Sequence, residues 1–269
     1  MVYTVIIGIT AAVFLVSVPV AWSVLSSIFP SLALNPRESR ALMDGGGATL
    51  IACLCAVALY TWWTSFLPFE ILLCPNAWVR RAHVAVTSVL WSGTVGLWLA
   101  AVFVAPSSPP SAAPRGAQSC SRCSCVKTRA SHHCRQCGRC IQGFDHHCPF
   151  VAGCIGDRNR HFFLWFLALS SAGCMYATFM SGHAFWECVG FPVARLNLGW
   201  PETRPRPDAA CRVVKELSLL FLPTAGMTVL VCSLCMWQVW LFSSGDTTAA
   251  FIRRMRKRFL SRGKPKSRP

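Results

Sequence analysis

The forty residues from Cys120 to Asn159 hold eight of the sixteen cysteines and four of the seven histidines in this chain. They run Cys120-x2-Cys123-x9-His133-Cys134-x2-Cys137-x2-Cys140-x4-Asp145-His146-His147-Cys148-x5-Cys154-x4-Asn159. Two cysteines separated by two residues bring both sulfurs onto one metal across a tight turn, and tetrahedral zinc completes its shell with a His or Cys from further along. Two closed sites need eight ligands. The stretch offers twelve counting His132, so some remain for chemistry.

Adjacent histidines in an extended backbone point to opposite sides, so in Asp145-His146-His147-Cys148 one imidazole can ligate zinc while its neighbour meets a different partner. Asp145 and His147, two apart, can face the same way. The carboxylate would then fix the imidazole tautomer while the other ring nitrogen takes the proton of the Cys148 thiol. That makes a nucleophile, a base and an orienting acid; nearby zinc and basic residues would favour the thiolate further. The alternative is that Cys148 is itself a ligand in a RING-like binding module. Cys125 and His132 are left to fill space at the zinc fold.

Residues 120 to 163, including the trailing Cys154-x4-Asn159-x3-Phe163, resemble the cysteine-rich domain of the DHHC protein S-acyltransferases, or palmitoyltransferases. The resemblance implies Cys120, Cys123, His133 and Cys140 around one zinc, and Cys134, Cys137, His146 and Cys154 around the other. It leaves Asp145, His147 and Cys148 for catalysis, with acyl-CoA, typically palmitoyl-CoA, as donor and two structural zinc ions as cofactors. The partners it implies are proteins with membrane-proximal cysteines. Several positions depart from the family pattern: Phe150 for the usual Trp, Thr128 for Pro, no Asp-Pro-Gly before the zinc domain, and Ala250 where Thr247-Thr248-x should end in Glu. The last departure puts the support of the site in question. It raises two alternatives, dependence on an accessory subunit or a non-catalytic zinc-stabilised membrane scaffold.

The surrounding chain must present this domain at a membrane. With 54% hydrophobic residues and a mean hydropathy of +0.45, it carries apolar runs long enough to span a bilayer. The expected fold is an all-α polytopic membrane protein of about five transmembrane helices, four in the usual family core, with a small irregular two-zinc domain. Residues 1–105 hold runs at about 3–29, 48–72 and 84–105, with polar segments at Arg37 and Arg40, and at Arg80 and Arg81. Glu70 lies near the end of the second run, where it can reach the interface. Residues 106–119 form a proline-rich, stiff linker and 120–160 the zinc domain. Residues 161–243 hold two further runs, about 161–182 and 217–242, around a loop at 183–216, and 244–269 form a basic tail.

Dense unpaired thiols belong in a reducing compartment, which places the zinc domain in the cytosol. The basic residues agree. Of 26 Lys and Arg, nineteen fall in the first loop, the linker with the zinc domain, and the tail, against seven in the loops assigned to the lumen. Loop 183–216 is then lumenal, where Cys188 and Cys211 can pair, and the protein belongs to an endomembrane such as Golgi or ER, or to the plasma membrane. The net charge of +16 reflects this topology and membrane lipid as partner. Neither base-stacking aromatics nor a binding motif accompanies it, so nucleic acid is not an expected ligand. Between Ala249 and Leu260, Phe251, Ile252, Met255 and Phe259 recur at helical spacing among Arg253, Arg254, Arg256, Lys257 and Arg258. This is a basic amphipathic helix expected on the cytosolic membrane face, as a topology anchor or in contact with coenzyme A phosphates.

Overall fold

The structure, a computed structural model, describes residues 36–63, 76–110, 118–128, 130–189 and 221–262. It contains helices α1 (Pro36–Thr61), α2 (Ala77–Phe103), α3 (Arg160–Val189), α4 (Phe221–Ser243) and α5 (Thr248–Arg262). Between α2 and α3 lie four three-residue strands, β1 (His132–Cys134), β2 (Arg139–Ile141), β3 (His146–Cys148) and β4 (Gly153–Ile155). Each consecutive pair forms an antiparallel hairpin.

Among the described residues three helices are long and apolar enough to cross a membrane: α2, the Arg160–Gly182 part of α3, and α4. A shorter apolar helix, Gly45–Tyr60, lies within the second expected run. The first run, Glu70 and the expected Cys188–Cys211 pairing lie outside the described residues and side chains.

Two segments expected as loops are helical. Arg80 and Arg81 fall inside α2, because Asn76 caps its start: the Asn76 Oδ1 accepts from the N–H of Trp78 at 2.9 Å and of Val79 at 3.5 Å. Likewise α1 begins at Pro36, a residue suited to a helix's first turn, and continues through Gly45-Gly46-Gly47. Gly47 is required there. A Cβ at that position would stand 2.6 Å from the carbonyl oxygen of Pro149, the residue after Cys148.

The chain divides into two compact units. Among the described residues the first takes in 49–63, 76–97, 165–189 and 221–235. Its helices meet through small residues and cross-helix polar contacts, as membrane helices do where burial of apolar surface gives no net drive. A Cβ on Gly93 would lie 2.6 Å from Leu169. The Thr178 and Thr228 hydroxyls bond at 2.8 Å, the Trp91 indole donates to the Cys55 carbonyl at 3.1 Å, and His83 bonds Tyr176.

The second unit takes in 36–48, 98–110, 118–128, 130–164 and 236–262, and holds both hairpins. The apolar core under the hairpins is small: Cys134, Ile141 and Cys154 are buried, with Cys137 and Phe144 packed against them. For a cluster this small, metal bound by the neighbouring thiols and imidazoles would add folding free energy to the hairpins. Buried Asn159 fastens the pieces. Its amide donates to the carbonyls of Ala101 at 3.1 Å and Cys154 at 3.0 Å, and its oxygen accepts from Gly156 at 2.9 Å. The described start of the linker is docked: the Ser107 N–H donates to Asp157 at 2.9 Å and the Gln142 N–H to the Ser107 carbonyl at 2.9 Å.

Candidate active site and metal centres

Among the described residues two groups of side chains can hold a metal ion. In the first, the His133 Nδ1 lies 3.7, 3.4 and 3.9 Å from the sulfurs of Cys120, Cys123 and Cys140, and the last two sulfurs are 3.5 Å apart. In the second, the His147 Nδ1 lies 3.6, 3.4 and 3.6 Å from Cys134, Cys137 and Cys154, and the sulfurs of Cys137 and Cys154 are 3.3 Å apart. A tetrahedral zinc with ordinary bond lengths would set its sulfurs about 3.8 Å apart and sulfur to nitrogen about 3.5 Å apart. Both donor sets, three thiols and one imidazole, fit zinc. The first joins Cys120, Cys123, His133 and Cys140.

The second corrects the expectation, which gave His146 to the metal and His147 to the thiol. The structure exchanges them. In the β1–β2 hairpin His133 pairs with Cys140, and in the β3–β4 hairpin His147 pairs with Cys154, so each histidine faces the sulfur opposite it. His146 and Cys148 are two residues apart on β3 and share its other face. The sequence carries the signal: Cys120-x2-Cys123-x9-His133-x6-Cys140 recurs as Cys134-x2-Cys137-x9-His147-x6-Cys154, displaced by 14 residues.

On that other face the His146 Nδ1 lies 2.6 Å from Asp145 Oδ2. The imidazole also hydrogen-bonds the thiol of Cys148, which is buried. Burial alone would lower the proton affinity of His146. The bonds to the Asp145 carboxylate and the Cys148 sulfur outweigh it and raise the imidazole to about 9. Phe163 meets the ring edge-on at 5.4 Å and holds its plane.

Asp145 is 1% exposed, and its carboxylate is saturated with donors. Oδ1 accepts from the N–H of Thr248 at 2.8 Å and faces Arg160 at 3.6 Å; Oδ2 accepts from the Thr248 hydroxyl at 2.9 Å. Burial pushes this carboxyl up, but His146 and Thr248 more than offset it, and the net shift is downward. The donors from Thr248 are the first turn of α5, whose dipole also favours an anion there. From the last span, the Gln238 amide reaches Asp145 Oδ2 at 3.5 Å and the Thr248 hydroxyl at 3.3 Å. Neither Gln238 nor Arg160 stood out in the sequence. The signal for Gln238 was a lone carboxamide in an apolar run.

Thr247-Thr248-Ala249-Ala250 proves to be a helix start. The Thr247 hydroxyl oxygen accepts from the Ala250 N–H at 3.2 Å, which is half of a capping box whose other half is a Glu or Gln three residues after the cap. Ala250 cannot complete it. Asp246 stands close by, its carboxylate paired with Arg254 and its carbonyl bonded by Arg160.

Beside the first metal group is a cavity of about 440 Å³ lined by Arg122, Lys127, His132 and Arg135 among others. His132 stacks on Phe144 at 4.9 Å and faces Arg253 at 3.4 Å. Burial, and then the charge of Arg253, push its imidazole down.

A helical, membrane-crossing protein whose paired metal hairpins present Asp145, His146 and Cys148 together defines a thiol-centred class of membrane protein. The family model described as DHHC palmitoyltransferase matches residues 114–255, more than half of the chain. The chain belongs to this family. None of the curated proteins compared with it matches.

Proposed function

We propose that this protein is a protein S-acyltransferase that carries a long-chain acyl group, palmitoyl in the first instance, from acyl-CoA to substrate cysteines through an acyl-Cys148 intermediate. The observation that carries the reading is His146 held between the Asp145 carboxylate and the Cys148 thiol. His146 takes the thiol proton as the sulfur attacks the thioester carbonyl carbon. The bond to coenzyme A breaks, and its leaving thiolate takes that proton back. A substrate thiol then gives its proton to His146, attacks the acyl-Cys148 thioester and frees the Cys148 sulfur, which recovers the proton. One thioester replaces another in each half, so no energy source is required.

Zinc bound by the two donor sets would supply folding free energy to the hairpins and a cationic field near the thiol. The basic cavity of Arg122, Lys127, His132 and Arg135 suits the phosphates of coenzyme A, better than the exposed flank of α5 considered first. Membrane-crossing helices in the same chain suit a long-chain acyl donor, since each buried methylene contributes about 0.8 kcal/mol. The balance of basic residues supports a zinc domain and tail on the cytosolic face of an endomembrane or the plasma membrane, acting on membrane-proximal cysteines.

The test is to incubate purified protein with labelled palmitoyl-CoA and look for an adduct that hydroxylamine removes. Ala250 favours one second reading, a metal-stabilised scaffold of the same fold in which the incomplete cap leaves the site idle. No adduct in native membranes, even with candidate accessory subunits, would select it.

A further inference from the structure

Helix α5 leaves an apolar stripe exposed. Phe251 turns inward, edge-on to Trp237 at 5.2 Å and Trp240 at 5.5 Å, but every residue from Ile252 to Leu260 is exposed. Ile252, Met255 and Phe259 are 58%, 50% and 80% exposed, and their spacing puts them in one stripe. Arg253, Arg254, Arg256, Lys257 and Arg258 flank it, and no acidic residue interrupts α5. A merely solvated basic helix would be polar all round.

Position says what covers the stripe. Only four residues separate α5 from the end of α4, a helix long and apolar enough to cross a membrane. That end carries Trp240 and Phe242, both about half exposed, the residues that mark a bilayer interface. α5 therefore starts where lipid headgroups lie, with a basic flank that complements anionic ones. Its first turn is the part bonded to Asp145, through the Thr248 N–H and hydroxyl and through the Ala249 N–H, which donates to the Asp145 carbonyl at 3.1 Å. One rigid helix thus touches both the surface and the carboxylate that orients His146.

We propose that the Ile252, Met255 and Phe259 stripe with its basic flanks docks on an anionic lipid surface, and that docking holds Thr248 on Asp145. Anionic lipid then raises the rate at which Cys148 is acylated. The rate effect rests on the acyltransferase reading above; the docking does not.

The full chain would be reconstituted in nanodiscs of phosphatidylcholine alone or mixed with phosphatidylserine, with two readouts: trypsin cleavage within α5 and the rate of hydroxylamine-labile labelling by palmitoyl-CoA. Anionic discs should slow cleavage roughly tenfold, an effect erased by high salt, and should speed labelling several-fold. Met255→Ser with Phe259→Ser keeps every basic residue, and should be cleaved equally fast in both discs and labelled at the neutral-disc rate. Equal cleavage of wild type in both discs would overturn the docking. So would protection of neutral discs by coenzyme A as strong as that by anionic lipid, since the flank would then bind phosphate ligands. Protection with a labelling rate blind to lipid charge would overturn the coupling. Protection with no labelling in any disc would uphold the docking and overturn the acyltransferase reading.

Discussion

His147 sits directly across the β3–β4 hairpin from Cys154, as His133 sits across β1–β2 from Cys140. The pairing sends His147 to the metal face and leaves His146 beside Cys148. His147→Ala should therefore release one metal equivalent and lower stability, since structural zinc contributes folding free energy directly. His146→Ala should keep both equivalents and lose acyl-enzyme formation. Metal analysis of the two variants decides it. Loss of metal from His146→Ala would restore the opposite assignment.

Thr248 gives Asp145 both its backbone N–H and its hydroxyl. Thr248→Val keeps the shape and the N–H but removes a hydrogen bond to a buried carboxylate, a loss of about 1.5–3 kcal/mol in such settings. Acylation of Cys148 should slow by at least about tenfold, with zinc content unchanged. An unchanged single-turnover rate would remove Thr248 from the site.

The Gln238 amide lies between the same two partners at longer range. Gln238→Met, similar in volume without the donor, should slow acylation by about three- to tenfold. In an Asp145→Asn background it should cause no further loss. Additive losses would mean that Gln238 acts through packing and not through Asp145.

The half-built cap at Thr247 gives Ala250 a physical meaning that family comparison alone did not. Ala250→Glu should complete the capping box and stabilise the start of α5 by about 0.5–1 kcal/mol, read as a higher unfolding temperature. Autoacylation should rise modestly through firmer placement of Thr248. A stability gain without any rate change would detach the cap from the chemistry.

Much of this was legible in the residues. The runs expected at 84–105, 161–182 and 217–242 overlap α2, α3 and α4, because long apolar stretches admit few other fates, but α2 starts before its run and α3 continues past it. Cys120 with Cys123, and Cys134 with Cys137, each enter one metal group, whereas Cys137-x2-Cys140 is split between the two. The tetrapeptide alone does not give the histidine roles, because alternation along a strand says that neighbours diverge, not which of them faces the metal. That depends on a hairpin register seen in the 14-residue repeat and not in the tetrapeptide. Arg80 and Arg81 read as loop residues by charge, but the cap at Asn76 starts α2 ahead of them. Gln238 stayed hidden because an amide in an apolar run does not announce its partner 93 residues away.

The central claim is that Cys148 is a nucleophile and not a ligand. The measurement that bears on it most directly is site-resolved mass spectrometry of the protein after labelled palmitoyl-CoA, with metal content read on the same samples. Wild type should carry a hydroxylamine-labile acyl group on Cys148 and two zinc ions; Cys148→Ser should carry no adduct and the same two zinc ions. A zinc equivalent missing from Cys148→Ser, or an acyl group that persists on other cysteines at the wild-type rate, would contradict the account.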